Sequence, residues 1–83
     1  MWHVYMLACA DGSLYTGTAT DVDRLFAAHK SGRGAKYTRA HPPVAVVYRE
    51  ACEDKGAALR REAAIKKLPR TKKLELTEET RDA

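Results

Sequence analysis

Trp2-His3-Val4-Tyr5-Met6-Leu7-Ala8-Cys9, then Ala10-Asp11-Gly12, then Ser13-Leu14-Tyr15-Thr16-Gly17 open the chain. The first segment is rich in aromatic and β-branched residues, which suit the pleated, half-buried surface of a strand. Asp-Gly is a strong hairpin dipeptide, because glycine adopts the left-handed conformation without steric cost. The spacing therefore predicts a β-hairpin with Tyr5 and Tyr15 on its two arms.

After the hairpin, Thr20 stands where a helix cap is wanted, and Asp23, three positions on, places an acid at the positive end of the helix dipole. Gly32 is the expected stop. On a 100° wheel Val22, Leu25, Phe26 and His29 share one stripe, while Arg24 and Ala28 point away. Residues 31–39, Ser-Gly-Arg-Gly-Ala-Lys-Tyr-Thr-Arg, read as a polar, flexible loop. After His41-Pro42-Pro43, the run Val44-Ala45-Val46-Val47-Tyr48-Arg49 reads as a third strand, and its unbroken apolar character predicts a central position or cover on both faces. A second helix is expected from about residue 55 to 68, stopped by Pro69, with Ala58, Leu59, Ala63 and Ile65 as its apolar stripe and Arg61 on the far side. A last short helix over 70–76 and a fraying polar tail over 77–83 complete the order β-β-α-β-α-α. The expected fold class is α+β, with a three-stranded antiparallel sheet flanked by helices.

The 83 residues allow one small domain and a modest core. No apolar run approaches the ~20 residues of a membrane helix, and no leader pattern opens the chain, so the expected location is cytoplasmic without membrane attachment. Cys9 and Cys52 are too far apart in sequence for a zinc motif and read as reduced thiols. His3, His29 and His41 are equally scattered. The net charge is +4, and its distribution is uneven: residues 24–73 hold fourteen Lys or Arg against four Asp or Glu, and residues 24–49 hold six basic side chains and no acid. A concentrated basic middle suits a polyanion, most simply nucleic acid. Within it, Arg33, Lys36 and Arg39 can follow a phosphate backbone and Tyr37 can stack on a base.

Polar residues interrupt the apolar stripes at two places. Glu62 falls near the centre of the second helix's stripe, where a carboxylate is costly unless it is paired, hydrogen-bonded or bound to a metal. It reads either as a partner for an arginine at the core edge or as a ligand for one hard divalent cation. His29 falls in the stripe of helix one, as a satisfied core histidine or as part of a site. Tyr5 and Tyr15 can be packing aromatics, or phenols facing a phosphate.

The spacing of Val4-Tyr5 and Tyr15-Thr16-Gly17, followed by Thr20-Asp21-Val22-Asp23-Arg24, His29, the Gly32-Arg33-Gly34-Ala35-Lys36-Tyr37-Thr38 loop and Ala58-Leu59-Arg60-Arg61-Glu62-Ala63-Ala64-Ile65-Lys66-Lys67, resembles the GIY-YIG nuclease superfamily over about residues 2–76. It looks most like the small stand-alone bacterial branch. The resemblance implies a metal-dependent endonuclease acting on DNA phosphodiesters, with branched or damaged duplexes as substrates in repair or recombination. It implies Glu62 as ligand of a single Mg²⁺ or Mn²⁺, and Tyr5, Tyr15 and His29 as catalytic groups. Arg33, Lys36, Tyr37, Arg39, Arg61 and Lys66 are the expected nucleic-acid contacts. Val4 and Thr16 replace two isoleucines of the name motif, and both stay β-branched. Leu25 occupies the position where the family carries its catalytic arginine. The alternative reading is therefore a nuclease-like module that binds nucleic acid without efficient cleavage.

Overall fold

The computed structural model describes residues 1–34 and 36–82, with side chains as far as Glu78; Ala35 and Ala83, which fall in the expected loop and tail, lie outside the described residues. The order is β1 (Trp2–Cys9), β2 (Leu14–Ala19), α1 (Val22–Lys30), α2 (Lys36–Ala40), β3 (Pro43–Cys52), α3 (Lys55–Lys66) and α4 (Arg70–Asp82). The strands form one antiparallel sheet in the order β2-β1-β3. This is the α+β architecture the patterning predicts.

β1 is the central strand, and Val4, Tyr5, Met6 and Leu7 are all buried. Successive side chains of a strand point to opposite faces, so these four residues seed two cores. Val4 and Met6 pack with Tyr48, Ala58 and Ile65 beneath α3. Tyr5 and Leu7 pack with Ala19 and Val22 beneath α1. The apolar run of β3 does not place it centrally. β3 is an edge strand, and Val44 at its start is 61% exposed. A register shift pairs Met6 with Tyr48 but Leu7 with Val46. That bulge lets the consecutive Val47 and Tyr48 both serve the Val4–Met6 core, while Val46 serves the other. The run is apolar because its side chains are split between two cores on opposite faces of the sheet, so the cover on both faces holds while the central position does not.

Helix boundaries follow local chemistry. Asp21, rather than Thr20, caps α1: its carboxylate accepts from the Arg24 backbone N–H at 3.1 Å. Gly32, with φ +84°, ends the helix; its N–H donates to His29 O and that of Arg33 to Ala28 O, the paired bonds of a glycine C-cap. Asp54 caps α3 through the Ala57 N–H at 2.8 Å. Two further expectations change. Part of the expected open loop is the short helix α2, and α4 continues to Asp82 instead of fraying after Thr77. Thr77 is buried and its hydroxyl donates to Leu74 O at 2.7 Å, so the last helix is seated past residue 76. The inward face of α3 also differs: Ala58 and Ile65 are buried, Arg61 and Glu62 are half-buried, and Leu59 and Ala63 face outward. α3 thus turns two charged residues, not two apolar ones, toward the sheet.

Cys9 and Cys52 are free thiols. Cys52 pairs across from Trp2 at one end of β1 and Cys9 lies at the other, roughly 23 Å apart at ~3.3 Å per residue, beyond disulfide reach. Among the described residues no helix is long and apolar enough to cross a membrane.

Candidate active site

The hairpin register builds the first wall of the site. Tyr5 pairs with Gly17, and Tyr15 pairs with Leu7, so the two tyrosines are diagonal neighbours on one face. Their rings stack at 6.4 Å between centroids and 14° between planes. Glycine at 17 is a spatial requirement: a Cβ there would meet Tyr5 Oη at 2.5 Å. The Tyr5 ring therefore lies across the backbone of β2, and its hydroxyl is carried to the edge strand of the sheet.

α1 supplies the second wall. His29 lies two turns after Val22 on the same stripe, and both are buried. Its Nε2 is 3.3 Å from Tyr5 Oη and its Nδ1 is 2.6 Å from Thr38 Oγ1. The glycine C-cap folds the chain back over the imidazole, so closely that a Cβ on Gly34 would stand 2.1 Å from Nδ1. α2 then delivers Thr38, which is 1% exposed. The motif residues Gly34 and Thr38 thus lock the histidine ring. The pattern of residues 31–39 shows their polarity but not this role, since only the return of the chain brings Thr38 to Nδ1.

α3 supplies the third wall. Glu62, Tyr5, Tyr15, Gly17, Thr18, Leu25, His29, Arg33 and Gly34 line one open cleft of about 390 Å³. The Glu62 side chain is 20% exposed, and its ion-pair partner is Lys66, one turn on along the same helix at 3.4 Å. It is not sealed against a core-edge arginine. The hairpin strands β1 and β2 with α1 and α3 thus bring together the four residues singled out as catalytic or metal-binding.

The basic residues divide. Arg33 lines the cleft, its Nε donating to Ser31 Oγ at 3.1 Å. Tyr37 and Lys66 line an adjoining groove with Lys73, a residue that sequence reasoning passed over. Lys36 and Arg39 are exposed on α2. Arg61, expected on the far side of α3, is half-buried; its Nε donates to Glu50 at 3.1 Å, and Glu50 also accepts from the Tyr48 hydroxyl. The guanidinium there serves the edge of the Val4–Met6 core, and Arg61 is not among the residues lining the cleft.

Electrostatics follow from burial. Burial, with Tyr15 and Glu62 nearby, holds the Tyr5 phenol well above its ordinary range, so it stays protonated at neutral pH. Burial pushes the His29 imidazole below its ordinary value, so it is neutral. With Nδ1–H assigned as donor to Thr38 Oγ1, Nε2 is left to accept from the Tyr5 hydroxyl. Because the folded chain resists protonation at His29, its contribution to stability is complete above about pH 6.5, the ordinary imidazole value. It is lost as the pH falls through the window below, where the unfolded chain binds the proton first. The parent is expected to lose more stability between pH 7.5 and pH 5.5 than His29→Gln does, read from denaturant midpoints; equal losses would place the acid sensitivity elsewhere.

Among the described residues, no group of three or more His, Cys, Asp or Glu converges on one point. A single inward carboxylate beside an open cleft suits a hard cation that keeps most of its positions for water and phosphate oxygens, not a closed protein cage.

A three-stranded sheet with two tyrosines, an imidazole and a carboxylate around one cleft defines a nuclease-like α+β domain. The model of the GIY-YIG catalytic domain matches residues 1–75, and the chain belongs to that family. It is 48% identical over 73 residues to the UPF0213 protein of Xanthomonas axonopodis pv. citri, covering 88% of this chain and 72% of that one. It is 52% identical over 71 residues to the UPF0213 protein of Natronomonas pharaonis, covering 86% and 84%. The solution NMR structure of the UPF0213 protein from Bacillus halodurans is similar with a TM-score of 0.58 and 48% identity, over 94% of this chain and 84% of that one. Membership implies a nucleic-acid substrate.

Proposed function

We propose that this domain is a divalent-metal-dependent endonuclease that hydrolyses DNA phosphodiester bonds, with structure-specific action on branched or damaged duplexes in repair or recombination. The observation that carries it is the meeting of Glu62 with Tyr5, Tyr15 and His29 in one cleft. Glu62 is the residue to hold one Mg²⁺ or Mn²⁺, which when bound supplies Lewis-acid stabilisation of charge on the phosphoryl oxygens. Tyr5 takes a proton from the attacking water as its own passes to His29 Nε2; the water oxygen bonds to phosphorus as the bond to the sugar oxygen breaks, that oxygen takes a proton from solvent, and the imidazole, steadied through Nδ1 by Thr38, gives its proton back to solvent. Tyr15, stacked on Tyr5, orients the water and the phosphate. Arg33 is the cation on the cleft wall, and Lys36 and Arg39 extend the basic surface along the DNA.

Leu25 favours a second reading, a module that holds nucleic acid and cuts it poorly. The leucine is half-buried, packs on the Tyr5–Leu7 core and lines the cleft, so an apolar side chain stands where the resemblance places a cation. One experiment separates the two. Labelled duplex and branched DNA are titrated at two salt concentrations, and nicking is followed with Mg²⁺, Mn²⁺ or EDTA. Salt-sensitive binding is expected in both readings, because phosphate contacts release counterions. Metal-dependent nicking supports the nuclease; binding without it supports the module; no binding at low salt removes both.

A further inference from the structure

Beside the cleft runs a second concavity of about 330 Å³, lined by Leu14, Tyr15, Thr16, Tyr37, Lys66 and Lys73. Tyr15 is common to both, so a strand that leaves the cleft on that side enters the groove. The chemistry of the groove is that of a nucleotide. Tyr37 is 42% exposed, and its ring is steadied by tilted contacts with Tyr15, at 5.9 Å, and His41, at 4.5 Å between centroids. Lys66 and Lys73 bring ammonium groups from two different helices. The pair Lys66 makes with Glu62 is between exposed and half-buried groups at 3.4 Å, of the kind worth little in water, so the ammonium is available to a phosphate. Within the proposed catalytic apparatus, Tyr37 and Lys73 have no other task.

We infer that this groove is a nucleotide subsite: it receives an unpaired nucleotide next to the phosphodiester in the cleft, with the base stacked on Tyr37 and its phosphate met by Lys66 and Lys73. The inference rests on the nuclease reading only for its position beside the scissile bond. An unpaired base is required because a base inside a duplex has both faces covered by its neighbours, whereas a free one can lie on an aromatic ring. The subsite therefore selects DNA with a flap, gap or open junction at the cleft over continuous duplex.

The test is binding in EDTA, so that cleavage plays no part, with labelled hexathymidylate and a blunt 20-base-pair duplex as probes. Tyr37→Ala is expected to weaken hexathymidylate binding about tenfold and duplex binding by less than about twofold, and Tyr37→Phe to restore the parent value. Lys73→Gln is expected to weaken hexathymidylate binding and to lower its salt slope by about 0.7, the share of one phosphate contact on single-stranded DNA. Equal losses on both probes with Tyr37→Ala, or an unchanged hexathymidylate affinity and slope with Lys73→Gln, would overturn the subsite. If Tyr37→Ala disturbs α2, seen as a lowered thermal midpoint, the Lys73→Gln result decides. A protein that cuts nothing with any metal but gives these binding results loses the nuclease reading alone; an active nuclease without them loses the subsite alone.

Discussion

Replacing Leu25 by arginine is expected to raise metal-dependent phosphodiester cleavage by about 10²–10³-fold, the usual effect of one group aimed at charge developing in the transition state. The position is set by geometry. Leu25 lies one turn before His29 on α1 and lines the same cleft as Glu62 and the two tyrosines. A cation introduced there faces the phosphate that those groups surround. Arg24 does not supply it: one step along a helix turns ~100°, and Arg24 is exposed, lining with Trp2 and Ala28 a separate shallow groove rather than the cleft. The stability cost should stay below about 1 kcal/mol, because an arginine stem can cover the apolar surface that half-buried Leu25 now covers. The measurement is plasmid nicking with Mg²⁺ or Mn²⁺ under single-turnover conditions. A parent that already cuts at the variant's rate would move the cationic role from position 25, and Arg33, which lines the same cleft just past the end of α1, would inherit it.

Glu62→Gln is the complementary result: metal-dependent cleavage should fall about 10³-fold, to background, and binding of Mn²⁺ followed by titration should disappear. The substitution keeps the shape of the side chain and removes only its charge, so folding should be little changed. The lost pair with Lys66 is a surface interaction of small worth. The Mn²⁺ titration gives a readout independent of turnover. Unchanged cleavage and unchanged Mn²⁺ binding would reject Glu62 as the ligand.

Much of this was legible in the chain because it rests on short-range rules. Alternation through Val4, Tyr5, Met6 and Leu7, the Asp11-Gly12 turn, the cap-and-stop residues of α1 and Pro69 after α3 act within a few residues, and each element appears near its expected bounds. The two misplaced polar residues, His29 and Glu62, were visible because a polar residue on an apolar stripe contradicts the period of its own helix. The errors arose where neighbours in space outweigh neighbours in sequence. The apolar run of β3 belongs to an edge strand because a bulge shares its side chains between two cores. The inward face of α3 carries Arg61 because Glu50, on a strand, is there to pair with it.

Local rules along the chain settled the hairpin, the three longer helices, the concentrated basic middle and the identity of the side chains able to do chemistry, since periodicity, turn chemistry and charge are properties of residues close together in the chain. That Tyr5 crosses Gly17 to reach His29, that Thr38 and Gly34 fix that ring, and that Lys73 joins Tyr37 beside the cleft follow from the folded arrangement alone. Those outcomes depend on the path by which the chain returns on itself, and contacts between residues far apart along it are settled by packing rather than by local preference.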